Sequence, residues 1–277
     1  MLTQAEKGAA FAELHRRAGT FIIPNPWDVG SARLLAHLGF EALATSSAGY
    51  AFSIGKPDNA VGRDAMLAHA AAVASATDLP VSIDLENGFG DGPEIVAETI
   101  RLAAATGAVG GSIEDATERA DDPLYERALA VERIRAAAEV VGNLSFPFML
   151  TARAENYLVG KPDLQDTIER LQLYQEAGAD VLYAPGLTNK DDIATLIRSV
   201  DRPVNVLLGL KGVKLTVDDM SAIGAKRISV GSGLARCAIG AFLRAARDMR
   251  EHGTFAFAED AMEFRMLNSI FNAEGVG

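Results

Sequence analysis

One cysteine in 277 residues leaves no partner for an internal disulfide and makes a reducing cytoplasm the natural setting. Cys237 falls in Leu234-Ala235-Arg236-Cys237-Ala238-Ile239, an apolar helical pattern that predicts a buried packing residue rather than a nucleophile. No run of about 18 apolar residues occurs, so no segment reads as membrane-spanning. Residues 1–17 mix acidic and basic side chains at helical spacing without an apolar stretch, which is not the pattern of a secretory signal. Positive charge is scarce: 26 Lys and Arg against 37 Asp and Glu give a net charge of −11. No Lys/Arg-rich run exists, which excludes a nucleic-acid footprint. A small anionic ligand is not excluded, because a few Arg residues or a metal can reverse the field inside one cleft.

What is present is alternation. Short β-rich runs at 21–24, 42–46, 80–85, 109–114, 147–153, 180–185, 203–208 and 226–231 are mostly continuous and apolar, as strands covered on both faces should be. Amphipathic helical stretches separate them at 29–38, 63–77, 93–106, 123–141, 164–177, 191–199 and 217–223. Gly39, Gly107, Gly178 and Gly224 stand where left-handed caps end helices. Eight strands alternating with helices predict a (β/α)₈ TIM-type barrel. A doubly wound open sheet is the competing architecture, but no Gly-x-Gly-x-x-Gly follows the first strand. No linker or composition break splits residues 1–277, so a single barrel domain is expected. Two further helices, at 234–252 and 257–272, exceed what a barrel needs and place 234–277 at a subunit interface.

A barrel of this kind carries its active site at the C-terminal ends of the strands. The third strand ends in Ile83-Asp84-Leu85-Glu86-Asn87-Gly88-Phe89-Gly90 and the fourth in Ser112-Ile113-Glu114-Asp115. Residues two apart on a strand share a face, so Asp84 and Glu86 are expected to point together, with Glu114 beside them. Three converging carboxylates repel one another unless a cation or proton intervenes. Hard oxygen donors without His or Cys favour Mg²⁺, or Mn²⁺, over Zn²⁺. Helix capping is the competing role for each carboxylate taken singly. The second strand ends Thr45-Ser46-Ser47-Ala48-Gly49, where hydroxyls and backbone N–H groups suit an acid group of a ligand, although the same residues make ordinary turns. Asp58 follows in the turn-like Gly55-Lys56-Pro57-Asp58-Asn59. Arg153 ends the fifth strand and can grip a carboxylate bidentately, or pair with one of the acids above. Asn205 interrupts the apolar seventh strand, and an inward amide there needs a partner. His15, His37, His69 and His252 all fall in or near helices, and none is expected in catalysis.

With these residues in place, the chain resembles the isocitrate lyase and phosphoenolpyruvate mutase superfamily. The resemblance runs from about Phe21 to Asn205 and rests on several segments taken together. They are Pro24-Asn25-Pro26-Trp27-Asp28, Thr45-Ser46-Ser47, Gly55-Lys56-Pro57-Asp58, Asp84-Leu85-Glu86-Asn87-Gly88-Phe89-Gly90, Ile113-Glu114-Asp115, Ala152-Arg153, Glu176-Ala177-Gly178-Ala179-Asp180 and Pro203-Val204-Asn205. It implies Mg²⁺ held largely through waters by Asp84, Glu86 and Glu114. It also implies Ser46, Ser47 and Ala48 at the substrate's acid group, Arg153 on its carboxylate, and a helix exchanged between subunits of a homodimer or homotetramer.

The departures bear on the reaction. Isocitrate- and methylisocitrate-cleaving members carry a Cys in a Lys-Arg-Cys-Gly-His-like loop after the fourth strand, and the mutase has a Lys and an Asn there. This chain reads Asp115-Ala116-Thr117-Glu118-Arg119-Ala120-Asp121-Asp122-Pro123. Other members place Glu or His after the sixth strand, where Ala184-Pro185-Gly186-Leu187 stands. Glu86 replaces the usual second Asp, and Arg153-Ala154-Glu155 replaces Arg-Thr-Asp. The expected activity is a Mg²⁺-dependent lyase cleaving a C–C bond of a small 2-oxo or 2-hydroxy acid through a stabilised enolate, with Asp58, Glu118 or Tyr50 as bases. Carbon–phosphorus chemistry on phosphonopyruvate and a non-catalytic ligand-binding role are the alternatives. A Schiff-base aldolase is disfavoured, because no Lys lies toward the C-terminal end of a predicted strand.

Overall fold

The structure, a computed structural model, describes residues 2–273. Residues 274–277, the end of the segment assigned to a subunit interface, lie outside the described residues. Eight parallel strands are each followed by at least one helix, and the strand order β1-β8-β7-β6-β5-β4-β3-β2 pairs the first strand with the last. The strands are β1 Phe21–Ile22, β2 Leu43–Ala44, β3 Val81–Asp84, β4 Gly110–Glu114, β5 Met149–Arg153, β6 Val181–Tyr183, β7 Val204–Leu207 and β8 Arg227–Ser229. At the β1/β2 seam, where no ladder forms, the Ala44 N–H donates to Pro24 O at 3.1 Å. This is the (β/α)₈ TIM-type fold expected from the alternation.

The helices around the sheet are α2 Val29–His37, α3 Ser47–Ser53, α4 Arg63–Ala76, α5 Pro93–Ala104, α6 Arg127–Gly142, α7 Leu164–Glu176, α8 Lys190–Arg198 and α9 Val217–Ala222. A continuous apolar cluster of Ile83, Leu85, Ile100, Ile134, Leu150, Leu171, Leu182 and Val206 lies between sheet and helices. Gly178 ends α7 at φ +109°, and a Cβ there would approach Ala138 Cβ to 2.7 Å. Only glycine satisfies both the turn and the packing.

One further helix precedes the barrel. The Thr3–Glu6 capping box starts α1 (Gln4–Arg16), which closes the N-terminal end of the strands. Phe11 and Leu14 pack there with Phe21, Ile23, Ala42 and Val109. Gly8 permits that approach, since a Cβ would meet Pro147 O at 2.3 Å. The helical charge spacing of residues 1–17 was the only trace of this plug.

After β8 come α10 (Gly233–His252), a 3₁₀ turn (Ala256–Glu259) and α11 (Phe264–Ala273). The second extra helix thus begins seven residues later than its apolar pattern implies. Cys237 is exposed, which corrects its expected burial. Much of α10 carries its apolar side chains outward, so an amphipathic pattern did not indicate burial within this chain. Phe242 is 69% exposed and Phe264 82%. Among the described residues, no helix is long and apolar enough to cross a membrane.

Candidate active site

The strand ends surround a cavity of about 170 Å³. It is lined at the rim by Ser46, Ser47, Ala48, Asp58, Asp84 and Arg153, and deeper by Ser82, Ser112, Asn205, Arg227 and Ser229. Asp84, Arg153 and the Ser46–Ala48 segment, all expected at strand ends, therefore meet in one space with Asn205 and Asp58. Asn25 ties the rim together: its amide donates to Thr45 O at 3.1 Å and accepts from Val230 N and Gly231 N at 2.9 Å each.

Asp84 is held from two sides. Its Oδ2 accepts from Ser47 N at 3.1 Å, and its own N–H donates to Thr45 Oγ1 at 2.9 Å. The segment after β2, for which a turn is the competing reading, is the start of α3. Ser46 caps that helix, its Oγ accepting from Gly49 N at 3.1 Å. The Ser46 hydroxyl and the Ser47 N–H thus already have protein partners, and Ser47 lines the cavity together with Asp58.

Arg153 is the hub. Its Nη1 lies 2.9 Å from Asp84 Oδ1, its Nη2 2.9 Å from Glu114 Oε2 and its Nε 2.8 Å from Glu155 Oε1. The guanidinium also stands 5.3 Å from the centre of the Tyr183 ring. Burial alone would lower the Arg153 pKa, but Glu114, Glu155 and Asp84 raise it well above its usual value. Burial drives Glu155 up to about 6, with Arg153 opposing, and raises Glu114 strongly. The ion-pairing role weighed for Arg153 is present, and it engages three acids. Glu114 lies behind the guanidinium, in a small closed space beside Asp115, Arg133 and Tyr174.

Glu86 departs from its expected placement. Strand β3 ends at Asp84, and Glu86 sits in the left-handed region at φ +50°, so strand alternation does not set its direction. It lines an outer open cleft with Asn59, Arg63, Asn87 and Glu118. Its Oε1 is buried without a hydrogen-bond partner. Burial, then the charges of Asp84, Glu118 and Asp58, push its pKa up to about 8. Asp58 is raised for the same reasons, burial first and Asp84 second, and Glu118 by burial and Asp58.

Two groups that hold these loops had no clear signal in the sequence. Arg133, fully buried on α6, donates to Gly90 O (2.5 Å), Asp91 O (2.6 Å) and Asn87 O, fixing the turn that carries Glu86. Asp115 accepts from Glu155 N at 2.8 Å, Tyr174 Oη at 2.6 Å and Arg170 Nη1 at 3.1 Å, which fixes the backbone of Glu155. A charged residue in an apolar helix face, as Arg133 is, was the only available cue.

The profile of the phosphoenolpyruvate phosphomutase family matches residues 11–250. A solved structure from Burkholderia cenocepacia J2315, described as a lyase/mutase, is 62% identical and superposes with a TM-score of 0.95 over 97% of this chain and 96% of that one. An uncharacterized protein of Mycobacterium tuberculosis (strain H37Rv) is 34% identical over 225 residues, covering 80% of this chain and 82% of its own. A 2-methylisocitrate lyase of Aeropyrum pernix is 26% identical over 259 residues, 89% of this chain and 81% of that one.

Proposed function

Because the chain belongs to the phosphoenolpyruvate phosphomutase family, we propose that it is a Mg²⁺-dependent lyase that cleaves a C–C bond of a small 2-oxo or 2-hydroxy acid. The observation that carries this reading is the imbalance of charge at the strand ends. Asp84, Glu114 and Glu155 all pair with the one guanidinium of Arg153, and the Asp84 charge also acts on Asp58 and Glu86 close by. Such an excess of carboxylates, most of them buried, calls for a cation.

The donors fit Mg²⁺ or Mn²⁺. They are all oxygens, and the partnerless buried Oε1 of Glu86 is an acceptor without a donor. Among the described residues, no three Asp, Glu, His or Cys side chains stand together to ligate an ion directly. Asp84 is accordingly the direct ligand in this reading, with Glu86, Glu114 and Asp58 acting through water, since Mg²⁺ keeps several of its waters. Bound there, a divalent cation supplies positive charge opposite the developing enolate of the 2-oxo acid.

The protein's own groups do the remainder. Arg153, locked by three carboxylates, presents a fixed positive edge to the acid end of the substrate. Ser47 and Ala48 border that end. Tyr183 and Asn205 continue the wall from Arg153 along the neighbouring strands. Scission leaves the electron pair on the carbon next to the 2-oxo group of a 2-oxo acid, or on the carbon next to the second carboxylate of a 2-hydroxy diacid. If the departing half is CO₂, no base is required. If it is a carbonyl, its hydroxyl proton must leave, and Asp58, raised by burial and Asp84, is the acceptor at the rim. A relative named for a carbon–carbon substrate, the 2-methylisocitrate lyase of Aeropyrum pernix, supports carbon–carbon over carbon–phosphorus cleavage. Release of pyruvate, glyoxylate or CO₂ from a panel of short 2-oxo and 2-hydroxy acids, with and without Mg²⁺, tests the reading. We further propose that two or more copies associate through the outward apolar face of α10 and α11.

A further inference from the structure

The floor of the cavity is a cation without a counter-charge. Arg227 opens β8, points into the barrel and is 5% exposed. Its Nε donates to Asn205 Oδ1 at 2.9 Å, its Nη2 to Thr151 Oγ1 at 3.1 Å, and its Nη1 meets His15 Nε2 at 3.3 Å. Asparagine and threonine are neutral. His15 is neutral as well: its Nδ1 lies 2.8 Å from Phe11 O and so carries the ring proton, which leaves Nε2 as the acceptor for Arg227. Among the described residues no carboxylate acts on Arg227; burial lowers its pKa to about 10, and Tyr183 alone opposes that. Arg153, its counterpart at the rim, has three carboxylates. A buried charge is normally paired, because leaving water alone is costly.

The geometry leaves Arg227 donors to spare. A guanidinium has five N–H groups in a planar fork, and these three contacts use three of them. The cavity that reaches Asp84 and Arg153 at the rim also touches Arg227, with the Ser82, Ser112 and Ser229 side chains around it. Arg153, Tyr183, Asn205 and Arg227 follow one another as register partners across β5, β6, β7 and β8. The contact to Thr151, two residues before Arg153 on the same strand, sets the Arg227 guanidinium one inward position deeper. The two cations therefore stand at the rim and the floor of one small polar shaft.

We propose that Arg227 is a second acid-binding group of this site, so that the cavity takes a diacid end-on: one carboxylate at the rim by Arg153, the other on the floor against Arg227. This rests on the reading of the site as one for 2-oxo or 2-hydroxy acids and narrows it to those with two acid groups. Malate and lactate are a matched pair of probes, differing by the far carboxylate alone. Calorimetric titration with Mg²⁺ present reads both on the wild-type protein, Arg227→Gln and Arg227→Lys. A charge-assisted bidentate contact makes malate bind about tenfold or more tighter than lactate to the wild type. Arg227→Gln erases that ratio while leaving lactate within about twofold, because a neutral amide cannot supply the charge, and Arg227→Lys retains part of it. Equal affinities in the wild type, or equal weakening of both acids by Arg227→Gln, overturns the proposal. Should Arg227→Gln not fold, a crystal of the wild type with malate decides: a carboxylate on the Arg227 guanidinium supports the proposal, and a floor holding only water or chloride refutes it. Binding is read without turnover, so a protein that binds malate preferentially but cleaves nothing refutes the lyase reading and leaves this one standing. If neither acid binds, the acid-site reading fails and this proposal fails with it.

Discussion

Arg153 and Asp84 meet at 2.9 Å across the barrel mouth although a whole strand, β4, separates the strands that carry them. The same guanidinium holds Glu114 and Glu155, so it compensates three buried acids at once. Arg153→Met would leave those acids facing one another without a cation. Removing one partner of a buried ion pair costs about 3–5 kcal/mol, and urea unfolding of the variant should show a loss of that size. A loss below about 1 kcal/mol, the scale of an exposed pair, would mean that the hub is not structural.

Cation binding should be visible without any reaction. A ligand that binds only the native state at 100 times its Kd stabilises by about 2.7 kcal/mol, so Mg²⁺ and Mn²⁺ should raise the melting temperature of the wild type. Asp84→Asn should abolish that rise, and Glu86→Gln should reduce it. A melting curve indifferent to both ions would remove the metal from the account.

His15 sets an acid limit on stability. Burial, then the charge of Arg227, push its pKa down from 6.5 to about 3. The unfolded chain therefore takes up a proton on this group below about pH 6.5, and the folded protein does not until about pH 3. Stability from this residue is complete above 6.5 and falls by about 1.4 kcal/mol per pH unit between those limits. Comparing wild type with His15→Gln by denaturant titration from pH 7 to pH 4.5 isolates the term from the carboxylates. The variant should lose less stability across that range; parallel curves would contradict the shift.

The apolar side chains of the C-terminal helices test the proposed association. Phe242 and Phe264 are largely exposed on a single chain, and apolar patches of this kind mark interaction surfaces. Sedimentation should find more than one copy per particle, and Phe242→Glu should shift the protein toward the monomer. A wild-type monomer at micromolar concentration would refute the interface.

Strand order and strand ends were legible because a buried parallel strand writes itself as an apolar run, and the polar residue closing that run is conspicuous. That logic found Asp84, Glu114, Arg153 and Asn205 and placed all but Glu114 against the cavity. It misjudged Glu86, because alternation applies only while the backbone stays extended, and φ +50° two residues past Asp84 breaks it. It passed over His15 and Arg227. A histidine in a helix and an arginine at the start of a strand look ordinary until the α1 plug and the β8 register bring them together beneath the cavity. Cys237 was misplaced because the apolar stripe of a helix reads the same whether it faces the core or, as on α10, the outside of the chain.

The central claim is turnover, and the direct measurement follows pyruvate, glyoxylate and CO₂ released from oxaloacetate, alkylmalates and methylisocitrate-like acids, each with Mg²⁺ and with chelator. The account predicts cleavage of at least one C–C substrate that requires the metal and is lost in Asp84→Asn. No cleavage across that panel by protein shown to hold Mg²⁺, or cleavage of phosphonopyruvate in its place, would contradict it.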